Sequence, residues 1–270
     1  MNLNTSPKDW IPPVFLKLRN HLLNRNIQWT GDYSSWSQAQ NHSLGYAENV
    51  ILQTLMEANQ RLRQGEIAGE RDGFPLPSPW VPWEILASVL HVKSTPAPMN
   101  LLDFGGALGS MWYQLNPWLP KGLTISIVEQ QHFVEAGRRE FETDSLRFFL
   151  NCKEASHWQK PDILVLSSVL QYLENPWQLI PDALLQNVGA VLVDRTPIHE
   201  APDRICVQKV PAWIYKSSYP CRIFSRSSLL KHLESAGLVA FHNWKNPDGG
   251  SQLPFRFEGY LFKRPHPKAE

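Results

Sequence analysis

Residues 101–110 read Leu-Leu-Asp-Phe-Gly-Gly-Ala-Leu-Gly-Ser, and the reading of this stretch decides the fold. Apolar Met99, Leu101 and Leu102 form a strand-like run that ends at Asp103 and Phe104. Gly105, Gly106, Ala107 and Gly109 follow, a segment with almost no side-chain bulk. Glycines are required where the backbone takes positive φ or approaches a bound molecule with no Cβ in the way. Behind them Leu108 to Trp118 has helix-like content, stopped near Pro117 and Pro120. The stretch therefore predicts strand, turn and helix, with free N–H groups at the helix start offered to an anion such as a carboxylate.

The spacing separates two cofactors that use such turns. A dinucleotide fingerprint reads GxGxxG, with its acidic residue at the end of the following strand. Here the pattern is Gly105-x-Ala107-x-Gly109, preceded two positions earlier by Asp103. A carboxylate there attracts an ammonium and repels a pyrophosphate. That favours S-adenosylmethionine, whose methionine part carries an ammonium and a carboxylate, over NAD. Leu123 to Val128 predicts a second strand closing at Glu129, which follows Gly109 by 129 − 109 = 20 residues, the interval at which a strand-end acid meets ribose hydroxyls. Gly106 and Ser110 complete the candidate cofactor turn. Gln130 to Phe141 reads as a helix, with Gln130 and Phe133 at its start, Phe133 either covering an adenine or packing in the core. A third strand over Leu146 to Leu150 ends at Asn151, which either meets the adenine edge or caps the next helix.

Asp162 to Ser168 and Ala190 to Asp194 add a fourth and a fifth strand, and their near-continuous apolar centres suit strands buried on both faces. Alternating strands and helices imply a parallel sheet with ligands at its C-terminal edge, so Ser167, Gln171, Asp194 and Arg195 project toward one crevice. Thr196 to Phe224 reads as an irregular insertion of about thirty residues, longer than a compact domain leaves without function. It carries His199, Gln208, Tyr215, Tyr219 and Arg222 and is expected to bind substrate, with Gln171 and Tyr172 beside it. Ser225 to Ala236 is a helix, and Leu238 to Trp244 and Phe257 to Lys263 are two closing strands.

Upstream, residues 1 to about 42 form a Pro- and Trp-rich wrapping segment with a short helix over Val14 to Leu23. Leu44 to Arg63 is an amphipathic helix, and Pro79 and Pro82 open another through Leu90. Between them Glu70 to Phe74 is a charged turn, in which Arg71 either pairs at the surface with Asp72 or faces a ligand. The expected division is an N-terminal helical cap over 1–95 and a sheet domain over 96–270 with its insertion near 196–224.

Charge is balanced, with 26 Lys and Arg against 25 Asp and Glu, and no basic stripe argues for nucleic acid. Cys152, Cys206 and Cys221 show neither CxxC spacing nor even pairing, which predicts a reducing, cytoplasmic setting and no metal site. The opening MNLNTSPKDW lacks a charged-then-apolar signal, and no apolar run reaches membrane-spanning length. The 11 Trp and 22 Pro suggest aromatic-lined clefts and ordered loops.

The combination of LDFGGALGS, SIVEQQHFVEAG, LSSVLQYLENP, VDRTP and DRICVQKVPAWIYKSSYP resembles a family of bacterial methyltransferases met near surface-polysaccharide or natural-product genes. The resemblance spans most of the chain, including the RDGF stretch. It implies a class I methyltransferase fold, Rossmann-like, with a mostly parallel sheet of seven strands, and S-adenosylmethionine as cofactor. It places Asp103, Gly105 and Gly109 in the methionine-binding turn, Glu129 on the ribose, and Asn151 to Ser168 on the adenine side. The expected activity is O-methylation of a small molecule or short peptide. A carboxylate acceptor would be held by Arg195, Arg222 or Arg71 in a charge-assisted fork. A hydroxyl acceptor needs a base, for which His199 and Asp194 are the candidates. Tyr172, Tyr215 and Tyr219 shape the pocket or simply pack. A non-catalytic binding module of the same fold and a nicotinamide enzyme stay open as other readings.

Overall fold

The computed structural model describes residues 27–45, 48–93, 98–179, 185, 187–211, 214, 217–248 and 253–265. Tyr215 and the expected helix over Val14 to Leu23 lie outside these residues. In chain order the strands are β1 (Gln28–Tyr33), β2 (Gly69–Arg71), β3 (Phe74–Leu76), β4 (Met99–Phe104), β5 (Leu123–Val128), β6 (Leu146–Phe149), β7 (Ile163–Ser167), β8 (Ala190–His199), β9 (Arg204–Val210), β10 (Ser217–Ser225), β11 (Val239–Lys245) and β12 (Arg256–Lys263). The chain forms two compact units, one of residues 1–47 with 205–221, the other of 48–204 with 222–270.

In the larger unit β4, β5, β6, β7 and β8 are parallel, in spatial order β6-β5-β4-β7-β8. The chain leaves β4 in one direction to build β5 and β6 and returns to its other side for β7 and β8. The switch point between β4 and β7 is where an open α/β sheet leaves a crevice for ligands. β12 runs antiparallel to β8, and β11 antiparallel to β12. This is the mostly parallel, Rossmann-like sheet expected, closed by an antiparallel pair. Ile163, Leu164, Val165 and Leu166 of β7 and Ala190 to Val193 of β8 are fully buried, as a parallel strand covered on both faces requires.

Ten strands rather than seven join the sheet, the additional ones being β1, β9 and β10. Thr196 to Phe224 is correspondingly not irregular: β8 continues to His199, and β9 and β10 follow. In the smaller unit β1 pairs antiparallel with β9, Gln28 opposite Lys209 and Trp29 opposite Gln208. Pairing over that separation is not visible as local periodicity, which is why the segment reads as loop.

Two helices, Glu48–Arg63 and Trp83–Val92, belong to the larger unit. The first is tied to the glycine turn by buried Asn59, whose amide donates to the Leu108 carbonyl at 2.9 Å. The charged link between them is a hairpin, with Gly69 opposite Leu76 and Arg71 opposite Phe74. The helix after the glycine turn is shorter than its composition predicts, Ser110–Leu115, followed by a 3-10 turn at Asn116–Trp118. The turn itself takes up Leu108 and Gly109, and Pro117 ends regular helix geometry.

Candidate functional site

The turn leaves β4 through Gly105, at φ +81°, whose amide donates to the Val128 carbonyl at 2.9 Å. Asp103 is buried, and its Oδ2 accepts the Trp112 indole N–H at 2.7 Å. A Cβ on Gly106 would lie 2.4 Å from that same oxygen, so only glycine lets the turn close on the carboxylate. Glu129 reaches the turn from the end of β5. Its Oε1 accepts from the Ala107 amide at 3.2 Å and its Oε2 from the Gln130 amide at 2.9 Å. Each carboxylate oxygen offers two lone pairs, so both acids keep acceptor capacity.

Burial pushes the Asp103 carboxyl up to about 7, the Trp112 hydrogen bond opposes that rise, and the Glu129 charge adds to it. Burial also raises Glu129, against the Gln130 and Ala107 amides and the nearby His132. Both acids lie on one turn, Asp103 against Gly106 and Glu129 on the neighbouring Ala107 amide. A buried and a half-buried carboxylate at adjacent strand ends, the first held half-protonated near neutrality, are a seat that gains from a cation.

The hairpin brings a third acid to this turn. Glu70 is buried, 1 % exposed, and its Oε1 accepts from the Gly73 amide at 2.9 Å. Its backbone is clamped to the helix after the turn: the Glu70 amide donates to Gln114 Oε1 at 3.1 Å, and Gln114 Nε2 donates back to the Glu70 carbonyl at 2.8 Å. The Trp80 amide shares the same Gln114 oxygen at 3.0 Å. Burial raises the Glu70 carboxyl, while the Ser110 hydroxyl and the Gly73 amide counter the rise.

The end of β7 and the middle of β8 form the other wall. Thr196 opposes Glu258 and Val193 opposes Tyr260, so Asp194 and Arg195 together face Gly259, a bulge that re-aims both side chains. A Cβ on Gly259 would lie 2.1 Å from the Trp244 indole, so that glycine admits the ring. Trp244 Nε1 then donates to Asp194 Oδ1 at 2.9 Å, with Asn246 Nδ2 at 3.5 Å and the Ser167 hydroxyl 3.4 Å from Oδ2. Asp194 is buried, and burial raises its carboxyl against these donors and the Arg195 charge. Gln171 is 1 % exposed and donates to Ser168 Oγ at 3.2 Å and to the Arg195 carbonyl at 3.3 Å, leaving its buried Oε1 without a partner.

Arg195 does not pair with its neighbour Asp194. Its guanidinium grips Asp72 at 2.6 and 3.2 Å and Asp248 at 2.7 Å. Arg71 binds Asp248 at 2.5 and 2.6 Å, and both guanidinium groups lie over the Trp80 ring, at 5.2 and 5.9 Å from its centre. Two of the three arginines expected to hold an acceptor carboxylate, Arg71 and Arg195, are thus each met by carboxylates of the chain itself. This clasp ties the hairpin to β8 and to the segment before β12. Among the described residues, the non-glycine positions with positive φ are Asp72, Ala107, Ser168 and Arg195, all at the turn, the hairpin tip, the end of β7 or the middle of β8. Backbone strain of that kind collects at sites of function.

The remaining expected residues are distributed as follows. Ser110 adjoins Glu70, and Ser167 faces Asp194. Gln130 caps the helix Gln131–Glu140, and Phe133 is a buried core side chain of that helix. Asn151 caps the helix Cys152–Trp158, its Oδ1 accepting from the Glu154 amide at 2.9 Å. Tyr172 is half-buried at the end of the 3-10 turn Leu170–Tyr172. Arg222 donates to the Glu174 carbonyl at 2.8 Å and lies 3.6 Å from Asp203. His199 donates to the Pro202 carbonyl at 2.9 Å. It lies four residues beyond Arg195, roughly 13 Å at a strand's rise, so it is not brought to the bulge. Gln208 and Tyr219 lie in the smaller unit, joined to each other at 3.3 Å, with the Trp29 indole donating to Gln208 at 3.1 Å. Sequence reasoning did not name Glu70, Trp80, Trp244 or Asp248 as site residues. The ERDG turn was the available signal for the first, whereas nothing local marks a tryptophan that becomes a wall only after folding.

Fold and site together define a Rossmann-like α/β chain with an acidic crevice at its strand ends. No protein-family model matches the chain, and no curated protein matches it. Among solved structures it is similar to the N-terminal domain of EvdMO1 with SAH bound, at 14% identity and TM-score 0.48, covering 78% of this chain and 96% of that one. The glycopeptide N-methyltransferase MtfA complexed with S-adenosyl-L-methionine gives 13% identity and TM-score 0.48, over 65% of this chain and 91% of that one. CalS10, an amino pentose methyltransferase from Micromonospora echinaspora involved in calicheamicin biosynthesis, gives 11% identity and TM-score 0.42, over 67% and 91%. These are likenesses of fold. No helix among the described residues is long and apolar enough to cross a membrane.

Proposed function

We propose that this chain is an S-adenosylmethionine-dependent methyltransferase that methylates a hydroxyl of a small molecule. The observation that carries the reading is a pair of carboxylates on one side-chain-poor turn, Asp103 buried and Glu129 half-buried, with burial pushing Asp103 up to about 7. Their chemistry fits the cofactor: Asp103 faces its positive groups, Glu129 accepts from ribose hydroxyls, and the turn admits the methionine part without a Cβ in its path.

When bound, the cofactor supplies a methyl group on a sulfonium, and the protein's task is to bind, align and exclude water. Ser167, Gln171 and Tyr172 border the acceptor side. Asp194 Oδ2 takes the acceptor hydroxyl's proton; burial strengthens that oxygen as a base, while Trp244 and Asn246 hold the carboxylate by its other oxygen. The Arg71–Asp72–Arg195–Asp248 clasp closes the hairpin over the crevice rather than binding the acceptor.

Isothermal titration with S-adenosylmethionine and its demethylated product tests this. Wild type is expected to bind both, Asp103→Asn to lose about a hundredfold in affinity, and wild-type affinity to weaken as the pH falls through about 7 and Asp103 protonates. A wild-type chain that binds neither ligand overturns the reading. Binding without turnover over a broad panel of hydroxyl acceptors would favour a non-catalytic module of the same fold.

A further inference from the structure

The proposed cofactor seat accounts for Asp103 and Glu129 but leaves Glu70 unexplained. Its structural work is done by one oxygen: Oε1 accepts the Gly73 amide and holds the hairpin tip. The other, Oε2, is buried and has no hydrogen-bond partner, while the Ser110 hydroxyl lies close enough to the carboxyl to lower it. Closing a hairpin over an unsatisfied carboxylate oxygen is costly unless a donor comes with the closure. The chain's own cation next to it, Arg71, turns its Nη2 to Asp248 and lies over the Trp80 face, and its buried Nε, 3.5 Å from Asp72, makes no hydrogen bond to Glu70. Asp72, two residues on, adds a like charge. Position narrows what the donor is. Ser110 directly follows Gly109, and Asp103 lies against Gly106, so the two acids flank one turn from different elements. The Gln114 bonds fix Glu70 to the helix that this turn opens.

We propose that Glu70 is a third carboxylate of the cofactor seat, receiving the ammonium of the methionine part that Asp103 faces from the other side. This rests on the cofactor reading above. It assigns the hairpin a second role besides its clasp: bound cofactor supplies the donor that Oε2 lacks, so closure and cofactor binding favour each other.

The test uses two probes, S-adenosylhomocysteine and 5′-methylthioadenosine, which share the adenosine and sulfur while only the first has the ammonium and carboxylate. Titrated against wild type and Glu70→Gln, which keeps an acceptor for Gly73, the first probe is expected to lose about tenfold or more, as loss of one charge-assisted hydrogen bond implies. The second is expected to stay within about twofold of wild type. Repeating the cycle with the desamino analogue of S-adenosylhomocysteine should abolish the effect of the substitution, because the group Glu70 contacts is then missing. Equal losses for both probes, or no loss for either, overturn the proposal and leave Glu70 a hairpin residue. If Glu70→Gln does not fold, Glu70→Asp, which withdraws the charge by one methylene, is read on the same two probes: a selective loss for the first supports the assignment, and none overturns it. Failure of the underlying reading looks different, since wild type would then bind neither probe.

Discussion

The acids around the glycine turn and the acids of the clasp are of the same kind and belong to the same unit, yet their surroundings treat them in opposite ways. At the turn, Asp103 and Glu70 are buried and Glu129 half-buried, none of them hydrogen-bonded to a lysine or arginine, and all three carboxyls are raised, chiefly by burial. In the clasp, desolvation by the packed hairpin pushes Asp72 up only against its 57 % surface exposure, and the Arg195 charge and hydrogen bonds and the Arg71 charge carry it below its ordinary value. A region that leaves its charge uncompensated is prepared for something that is not part of the chain. One that compensates its charge internally is holding the chain together. The difference separates residues that bind from residues that fasten, although both sets are charged, partly strained and close to the strand ends.

The largest effect that would sharpen this contrast is expected at Asp103. Its carboxyl is raised from 3.8 to about 7, so between those values the unfolded chain ionises while the folded chain keeps its proton. Stability without ligand is therefore fully present below about pH 4, falls as the pH rises toward 7, and is level above it. About three units correspond to on the order of 4 kcal/mol as an upper bound. Asp103→Asn retains an acceptor for Trp112 and removes this slope, so urea titrations at pH 4 and pH 8 should show a variant more stable than wild type at pH 8 and close to it at pH 4. The same variant should lose the proposed ligand. A variant destabilised at pH 8 would mean that the turn needs the charge for folding, and the contrast between the two regions would break.

The parts of the molecule that were legible share one property: the information is local. LLDFGGALGS announces strand, turn and helix within ten residues, Glu129 stands at a fixed interval beyond it, and the runs around Leu164 and Val191 are apolar enough to declare buried parallel strands. What was not legible depends on distant partners. β9 and β10 read as loop because the strand that pairs with β9 begins at Gln28. Arg195 read as an acceptor-binding arginine because Asp72 and Asp248, which occupy it, lie far away along the chain. Asn151 and Phe133 had both a binding and a plain reading, and a cap bond and near-complete burial are what the structure assigns to them.

Arg195→Ala tests the fastening side and should have the next largest effect. It removes a guanidinium whose side chain is 12 % exposed and leaves Asp72 and Asp248 to share Arg71 alone. Breaking a fully buried pair costs about 3–5 kcal/mol, but Asp72 is 57 % exposed, so a loss of about 2 kcal/mol in urea titration is the expected outcome. The sign of its pH dependence is opposite to that at Asp103. A lowered carboxyl contributes stability above its unfolded value that is lost as the pH falls through the folded one, so the variant should lose the acid-side slope that Asp72 gives wild type. Affinity for the proposed cofactor should change by less than about threefold, with any loss of turnover appearing in acceptor use. A large loss of cofactor affinity instead would place Arg195 among the binding residues.

The smallest effect concerns strain within the turn. Ala107 sits at φ +49°, a left-handed conformation that costs an L-residue about 1–2 kcal/mol relative to glycine. Ala107→Gly relieves that cost but gives the unfolded chain more freedom, worth about 0.4–1 kcal/mol in the other direction. A net gain of about 0.5 kcal/mol is therefore expected in thermal unfolding. The Ala107 amide still donates to Glu129 in the variant, so the Glu129 carboxylate keeps its position and ligand affinity should stay within about twofold. A loss of stability instead would show that the Ala107 methyl is packed against the fold. A fivefold or greater loss of affinity with stability unchanged would show that stiffness at this position, rather than the absence of side chains, is what the turn contributes to the seat.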